Sequence, residues 1–258
     1  MKLQYASDLH IEFMENRSYL SSGGIVPSAD VLVLAGDISY LGDKKMTKRS
    51  FFDWCSENFR ETLIVPGNHE YYRGYDIADT MEDFEMKVRD NVRYLNNRSF
   101  VVGEVELFFT TLWTKIDGFY AHTVQYRMAD FRYGVYKGRR FYVSDVDEIH
   151  QRCLDWLRNS LSKSSAKHKI VVSHHCPTLR DEFNLYPGGE LNSAFQVDMD
   201  DFIKESDIDF WIYGHTHFSG GSGTTIGGTT LLCNQLGYVF SGEHGQFRKD
   251  AVLEIPDV

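Results

Sequence analysis

Five short apolar runs along this chain each stop at a tight group of acids, amides or histidines, and that repeated punctuation restricts the folds open to it. Leu3–Tyr5 is followed by Asp8-Leu9-His10, and Val31–Leu34 by Gly36-Asp37. Leu63–Val65 leads to Gly67-Asn68-His69-Glu70, Ile170–Ser173 to His174-His175, and Phe210–Tyr213 to Gly214-His215-Thr216-His217. Strand-like runs alternating with helical segments predict a mostly parallel sheet covered by helices. Loops beyond the carboxyl ends of parallel strands lie side by side on one edge, so polar groups distant in sequence can converge there.

The intervening chain supports an α/β assignment. A mixed helix is expected near Lys44–Asn58, and Ile77, Met81, Phe84, Val88 and Val92 recur at three- and four-residue steps, predicting another. Strands are expected at Phe100–Val102, Val105–Thr111, Thr229–Cys233 and Ala251–Ile255. Ser144-x-x-Asp147 reads as a capping box opening a helix with Ile149, Cys153, Trp156, Leu157 and Leu161 on one face, and a further helix is expected over Ser193–Glu205. No repeat, low-complexity tract or linker divides the sequence, so a single domain over 1–258 is expected.

Composition excludes several classes. No run approaches the roughly 18 apolar residues of a membrane helix. The formal charge of −10 opposes non-specific duplex binding. One basic residue and no apolar stretch at the N-terminus predict no secretory signal and a cytoplasmic protein. Cys55, Cys153, Cys176 and Cys233 lack CxxC spacing and are expected to be reduced and buried.

The strand-end groups offer Asp, Asn and His donors without thiolate, a set suited to Mn, Fe, Zn, Co or Ni. Seven donors are too many for one tetrahedral ion, whereas a carboxylate shared between two ions accounts for them. Two ions about 3.5–4 Å apart can clamp the attacking and leaving oxygens of an in-line displacement at phosphorus. Taken singly, an Asp-x-His is ordinarily a solvated turn and a His-x-His an edge-strand pair; the weight lies in five ordered blocks. The remaining histidines, His122, His150, His168 and His244, read as surface or capping residues.

Asp8-x-His10, Gly36-Asp37, Gly67-Asn68-His69-Glu70, His174 and Gly214-His215-x-His217 together resemble the calcineurin-like metallophosphoesterase superfamily. The phrases Tyr5-Ala6-Ser7-Asp8-Leu9-His10 and Thr111-Leu112-Trp113-Thr114 look like a bacterial branch of phosphohydrolases. The resemblance implies a β-sandwich of two mixed sheets flanked by helices, in four layers. It implies two divalent metals, expected to be Mn or an Fe/Mn pair, with Zn, Co or Ni as alternatives. Asp8, His10 and His217 would hold one, Asn68, His174 and His215 the other, with Asp37 bridging, and a metal-bridging hydroxide would attack phosphorus. His69 would lie beside the substrate phosphate and donate a hydrogen bond or proton to the leaving oxygen. Glu70 is expected to fix a ligand or a histidine tautomer, and His175 to support its neighbour.

Trp113–Tyr142 carries six basic residues against two acids, among nine aromatic residues. Two readings stand: a lid whose Arg127 and Arg132 hold substrate phosphate, or a loop anchored by aromatics with solvated charges at its rim. The expected activity is hydrolysis of a phosphomonoester or phosphodiester of a small metabolite or nucleotide. A nuclease acting on single-stranded nucleic acid and a catalytically silent metal-binding scaffold are the alternatives. Nothing in the sequence sets an oligomeric state.

Overall fold

Alternation within each apolar run decides which of its side chains meets the opposite sheet and which meets a helix. The computed structural model describes residues 1–255. In chain order the elements are β1 (Lys2–Ala6), α1 (Met14–Ser21), β2 (Val31–Leu34), α2 (Ser50–Asn58), β3 (Glu61–Ile64), β4 (Phe84–Arg89), β5 (Val92–Asn96), β6 (Arg98–Val102) and β7 (Val105–Thr110). There follow α3 (Ala121–Arg127), α4 (Asp130–Tyr133), β8 (Val135–Tyr136), β9 (Arg139–Arg140), α5 (Val143–Lys163), β10 (His168–Ser173), α6 (Asn192–Phe195) and α7 (Asp200–Glu205). The last strands are β11 (Phe210–Ile212), β12 (Thr225–Ile226), β13 (Thr229–Leu232) and β14 (Val252–Glu254).

Two six-stranded sheets form, ordered β14-β1-β2-β3-β5-β4 and β12-β13-β11-β10-β7-β6. In each, four parallel strands are bordered on both sides by an antiparallel strand. Leu3, Val31, Val33 and Leu63 of the first sheet pack against Leu107, Phe109, Ile170 and Val172 of the second, making the central core. The alternate residues Leu32, Leu34 and Ile64 face outward onto Phe52 and Cys55 of α2. On the other side Phe108, Val171 and Trp211 meet Ile149, Cys153 and Leu157 of α5. The result is the expected four-layer sandwich of two mixed sheets flanked by helices. Among the described residues, no helix is long and apolar enough to cross a membrane, and all four cysteines are free and buried.

Three expectations are corrected. Residues 84–96 form the β4–β5 hairpin, not a helix carrying Met81, Phe84, Val88 and Val92. Phe84, Met86 and Val88 also obey a period of two, and Asp90-Asn91 supplies the short turn between the strands. The cap of α5 comes from Asp145, whose carboxylate accepts the Tyr142 backbone N–H at 2.9 Å, rather than from Ser144 and Asp147. The expected helix over 193–205 is broken, because Cys176 and Pro177 take over the backbone bonding between α6 and α7. The Val197 N–H donates to the Cys176 carbonyl at 3.0 Å and the Met199 N–H to the Pro177 carbonyl at 3.1 Å.

Phe109 is fully buried between the sheets. Phe109→Ala should lower the unfolding free energy by about 3–5 kcal/mol, whereas Val101→Ala on an exposed edge position should stay within about 0.5 kcal/mol. Urea titrations of the two variants check this contrast.

Candidate metal centre

β1 stops at Ala6, so strand alternation does not bring Asp8 and His10 together. Left-handed backbone does: Asp8 has φ 56°, His10 45°, Asp37 55°, His215 74° and His217 50°. Such values cost side-chain-bearing residues about 1–2 kcal/mol each, less for Asp and its like than for branched residues. Backbone bonds between loops hold them: the Asp8 N–H donates to the Gly36 carbonyl at 2.9 Å, and the His10 N–H to the Asp37 carbonyl at 2.9 Å. Gly67 is required by close approach, since a Cβ there would lie 2.2 Å from Asp37 Oδ1.

These turns bring all seven donor residues to one place, in two groups sharing Asp37. Asp8, His10, Asp37 and His217 form one, and Asp37, His174 and His215 the other. Asn68 joins the second group, its Oδ1 lying 2.9 Å from His174 Nε2. Asp37 Oδ2 is 3.7 Å from His10 Nε2, and Asp37 Oδ1 is 3.4 Å from His174 Nε2.

Hydrogen bonding fixes which ring nitrogen each histidine presents. His10 Nδ1 is tied to Glu12 at 3.0 Å, His217 Nδ1 to Glu243 at 2.6 Å, His174 Nδ1 to the Ala35 carbonyl at 2.9 Å and His215 Nε2 to the Ala194 carbonyl at 3.3 Å. An acceptor at one nitrogen places the proton there and leaves the other as a bare lone pair. Yet His10 Nε2 and His217 Nε2 are 3.1 Å apart, and His174 Nε2 and His215 Nδ1 also 3.1 Å. Asn68 turns its Oδ1 toward His174 because its amide N–H donates to the Tyr72 hydroxyl at 3.0 Å. His174 Nε2, His215 Nδ1 and Asn68 Oδ1 are acceptors converging on acceptors, and in the other group a proton held on His217 stands where a cation would bind, so the donor set fits a divalent-metal centre on chemical grounds.

The electrostatics agree. Burial, with Glu70 and Asp8 close by, pushes the Asp37 carboxyl well above its ordinary range. Burial pushes His10 and His174 down to about 4, so both rings stay neutral. His217 is opposite: although burial disfavours its charge, hydrogen bonds to Asp8 and Glu243 raise it to about 9.

The other anticipated residues are placed as follows. His69, next to Asn68, keeps partial solvent access, with Nδ1 3.0 Å from Glu12 and Nε2 4.0 Å from Asp37 Oδ2. Glu70, expected to fix a ligand or a histidine tautomer, acts on Asp37 through its backbone N–H, and among the described residues it bonds to no histidine ring. It accepts the backbone N–H groups of Gly67, Ile38, Asp37 and Ser39 at 2.7–3.1 Å, lacing the β2 and β3 loops together. His175 points its Nδ1 to the Thr111 carbonyl at 3.1 Å and packs its ring 4.4 Å from that of His215. Arg127 and Arg132 are exposed, and Arg127 pairs with Glu190 at 3.4 Å. Among the described residues, neither arginine bonds to any of the seven donors.

What Trp113–Tyr142 does deliver is Asp130, buried and accepting the Tyr72 hydroxyl at 3.2 Å, which completes an Asp130–Tyr72–Asn68 chain. Sequence reasoning missed Asp130, Glu12, Tyr238 and Glu243. Glu12 continues the every-second-residue spacing of Asp8 and His10, a signal that was available. Against the upward push of burial, hydrogen bonds from His10 and His69 bring its carboxyl down to about 2. Tyr238 and Glu243 lie beyond the Gly237 turn, in a stretch without periodicity. A separate cavity of about 1060 Å³, lined by Lys115, His150, Arg158 and Asn192 among others, contains none of the seven donors.

The model for calcineurin-like phosphoesterases matches residues 1–219, and the chain belongs to that family of metal-dependent phosphoester hydrolases. An uncharacterised protein of Acanthamoeba polyphaga mimivirus is 28% identical over 277 residues, an alignment spanning 98% of this chain and 96% of the viral one. The crystal structure of a phosphopantetheinyl hydrolase from Mycobacterium tuberculosis shares the fold with a TM-score of 0.68 at 17% identity, covering 95% of this chain and 92% of that one.

Because metal-free His217 holds a proton up to about 9, a metal ion taking Nε2 must displace it. The sign follows: below that pH binding releases a proton, and affinity rises roughly tenfold per pH unit for each proton released. Calorimetry with Mn at pH 6.5, 7.5 and 8.5, in buffers of different ionisation enthalpy, checks it. Affinity flat with pH and enthalpy independent of buffer would contradict the assignment.

Proposed function

We propose that the chain is a dinuclear phosphoesterase acting on a small phosphorylated metabolite or nucleotide, with 1–258 as one catalytic unit. Asp8, His10 and His217 are assigned to one ion, Asn68, His174 and His215 to the other, and Asp37 to both. The observation that carries this is the pair of side-chain clusters, each with two ring nitrogens 3.1 Å apart, joined through one carboxylate. When bound, two such ions supply Lewis-acid polarisation of the phosphoryl group and activation of the attacking water; Mn or an Fe/Mn pair is the expected content.

The remaining chemistry belongs to the chain. Glu12 sits between His10 and His69, 3.0 Å from a ring nitrogen of each, so one carboxylate orients a ligand and the catalytic imidazole together. With Nδ1 bonded to Glu12, His69 turns Nε2 toward Asp37 and the Tyr238 hydroxyl, the latter at 3.3 Å. There His69, acting in its doubly protonated form with Nδ1–H held by the Glu12 carboxylate, gives its Nε2 proton to the leaving oxygen, a role worth about 10²–10⁴ in rate. Glu70 keeps the Asp37 and Gly67 loops in register, and Asp130 acts through Tyr72 to hold the Asn68 amide. A net charge of −10 and the surface placement of Arg127 and Arg132 favour a small substrate over nucleic acid.

Hydrolysis of chromogenic phosphomonoesters and phosphodiesters should require added Mn and stop with chelator. No turnover by folded, metal-occupied protein would favour the silent scaffold, and stronger activity on single-stranded nucleic acid would favour the nuclease. His69→Asn should lose about 10²–10⁴ in kcat with metal content retained, and lose more on esters of poor leaving groups than of good ones. Equal losses on both would remove the proton-donor role, and elemental analysis of protein purified without added metal identifies the ions.

A further inference from the structure

Six aromatic side chains gather around His69 and Tyr238 without contributing to any of the three apolar cores: Phe13, Tyr40, Tyr72, Tyr133, Tyr238 and Phe240. They form two walls. On one side the Tyr238 ring lies 4.7 Å from those of both His10 and His217, Phe240 stacks on Tyr238 at 5.3 Å and 18°, and Phe13 closes edge-on against both at 5.6 Å. On the other, Tyr72 lies 4.5 Å from the His69 ring, Tyr133 5.5 Å from Tyr72, and Tyr40 is nearly parallel to His69 at 6.3 Å and 15°. The inner rings are partly or wholly buried, but the outer members stand in water, Phe240 58% and Tyr133 52% exposed.

An exposed ring that packs in no core leaves apolar surface uncovered, a cost that a ligand can relieve. Aromatic walls suit a flat π-system, through offset or edge contacts that a saturated group of the same size cannot reproduce. We infer that the exposed aromatic surface beside His69, with Phe240 on one wall and Tyr133 on the other, is a subsite for a planar aromatic or heteroaromatic ring carried by the leaving group of the phosphoester. This rests on His69 facing the leaving oxygen, because both walls meet at His69. The substrate class is thereby narrowed to aryl, arylmethyl or nucleoside phosphoesters, with Phe240 and Tyr133 as specificity-determining residues.

The test uses Mn-loaded protein and two non-hydrolysable probes of like size, benzylphosphonate and cyclohexylmethylphosphonate. Titration calorimetry on wild type, Phe240→Leu and Tyr133→Leu reads the ring's contribution apart from turnover. Neither side chain bonds to a metal-site residue, so both variants should keep metal content. The expected result is about tenfold tighter binding of the benzyl probe, falling by about three- to tenfold in each variant while the cyclohexyl probe is unchanged. Equal affinity of wild type for the two probes, or equal losses for both in the variants, overturns the subsite. Ring-selective binding without ester turnover would leave the subsite standing and remove the hydrolytic reading. Turnover without ring selectivity would do the reverse.

Discussion

Ring nitrogens forced to face one another govern the strand-end edge of this molecule. Four imidazoles each spend one nitrogen on a carbonyl or carboxylate and aim the other at a neighbouring ring nitrogen about 3 Å away. Without a cation the His174–His215 contact opposes folding, since buried acceptors without donors lose their hydration and regain nothing, and the His10–His217 contact is kept by a proton on His217. Five left-handed residues add at most about 5–10 kcal/mol, to be set against the net stability of a typical domain, about 5–15 kcal/mol. Cations bound at the centre would convert the opposing terms into ligand bonds, which would make metal binding and the stability of this edge one free-energy balance.

The supporting carboxylates each do a different mechanical task. Glu70 gathers four backbone N–H groups and so fixes the loop that presents Asp37. Glu12 and Glu243 take the outer nitrogens of His10 and His217. Asp130 reaches in from the segment between β7 and α5 and, through Tyr72, sets the direction of an amide whose two ends are otherwise interchangeable. Removing any of them leaves the ligands present but less well aimed, which in metal sites weakens affinity about 10–100-fold.

Legibility was greatest where short runs and ordered blocks coincide. The five apolar runs are strands, and the donors at their ends meet. It was poorest where two periodicities overlap: residues 77–92 satisfy helical spacing through Ile77, Met81, Phe84 and Val88, while Phe84, Met86 and Val88 equally satisfy a strand, and pairing of β4 with β5 decided between them. The basic residues of Trp113–Tyr142 suggested phosphate binding, yet its buried members Asp130 and Phe131 are what tie it to the protein, and the arginines lie outside. Charge is visible in a sequence; the direction in which a loop points it is not.

The sequence by itself determined the donor chemistry, the order of the strand-end blocks and the parallel character of the sheets, because these depend on residue type and local spacing. Only the tertiary structure decided how the donors divide into two groups, which nitrogen each histidine offers, and which distant residues brace them. Those outcomes depend on left-handed turns and on contacts between loops as much as 228 residues apart, as from His10 to Tyr238, where no local pattern carries information.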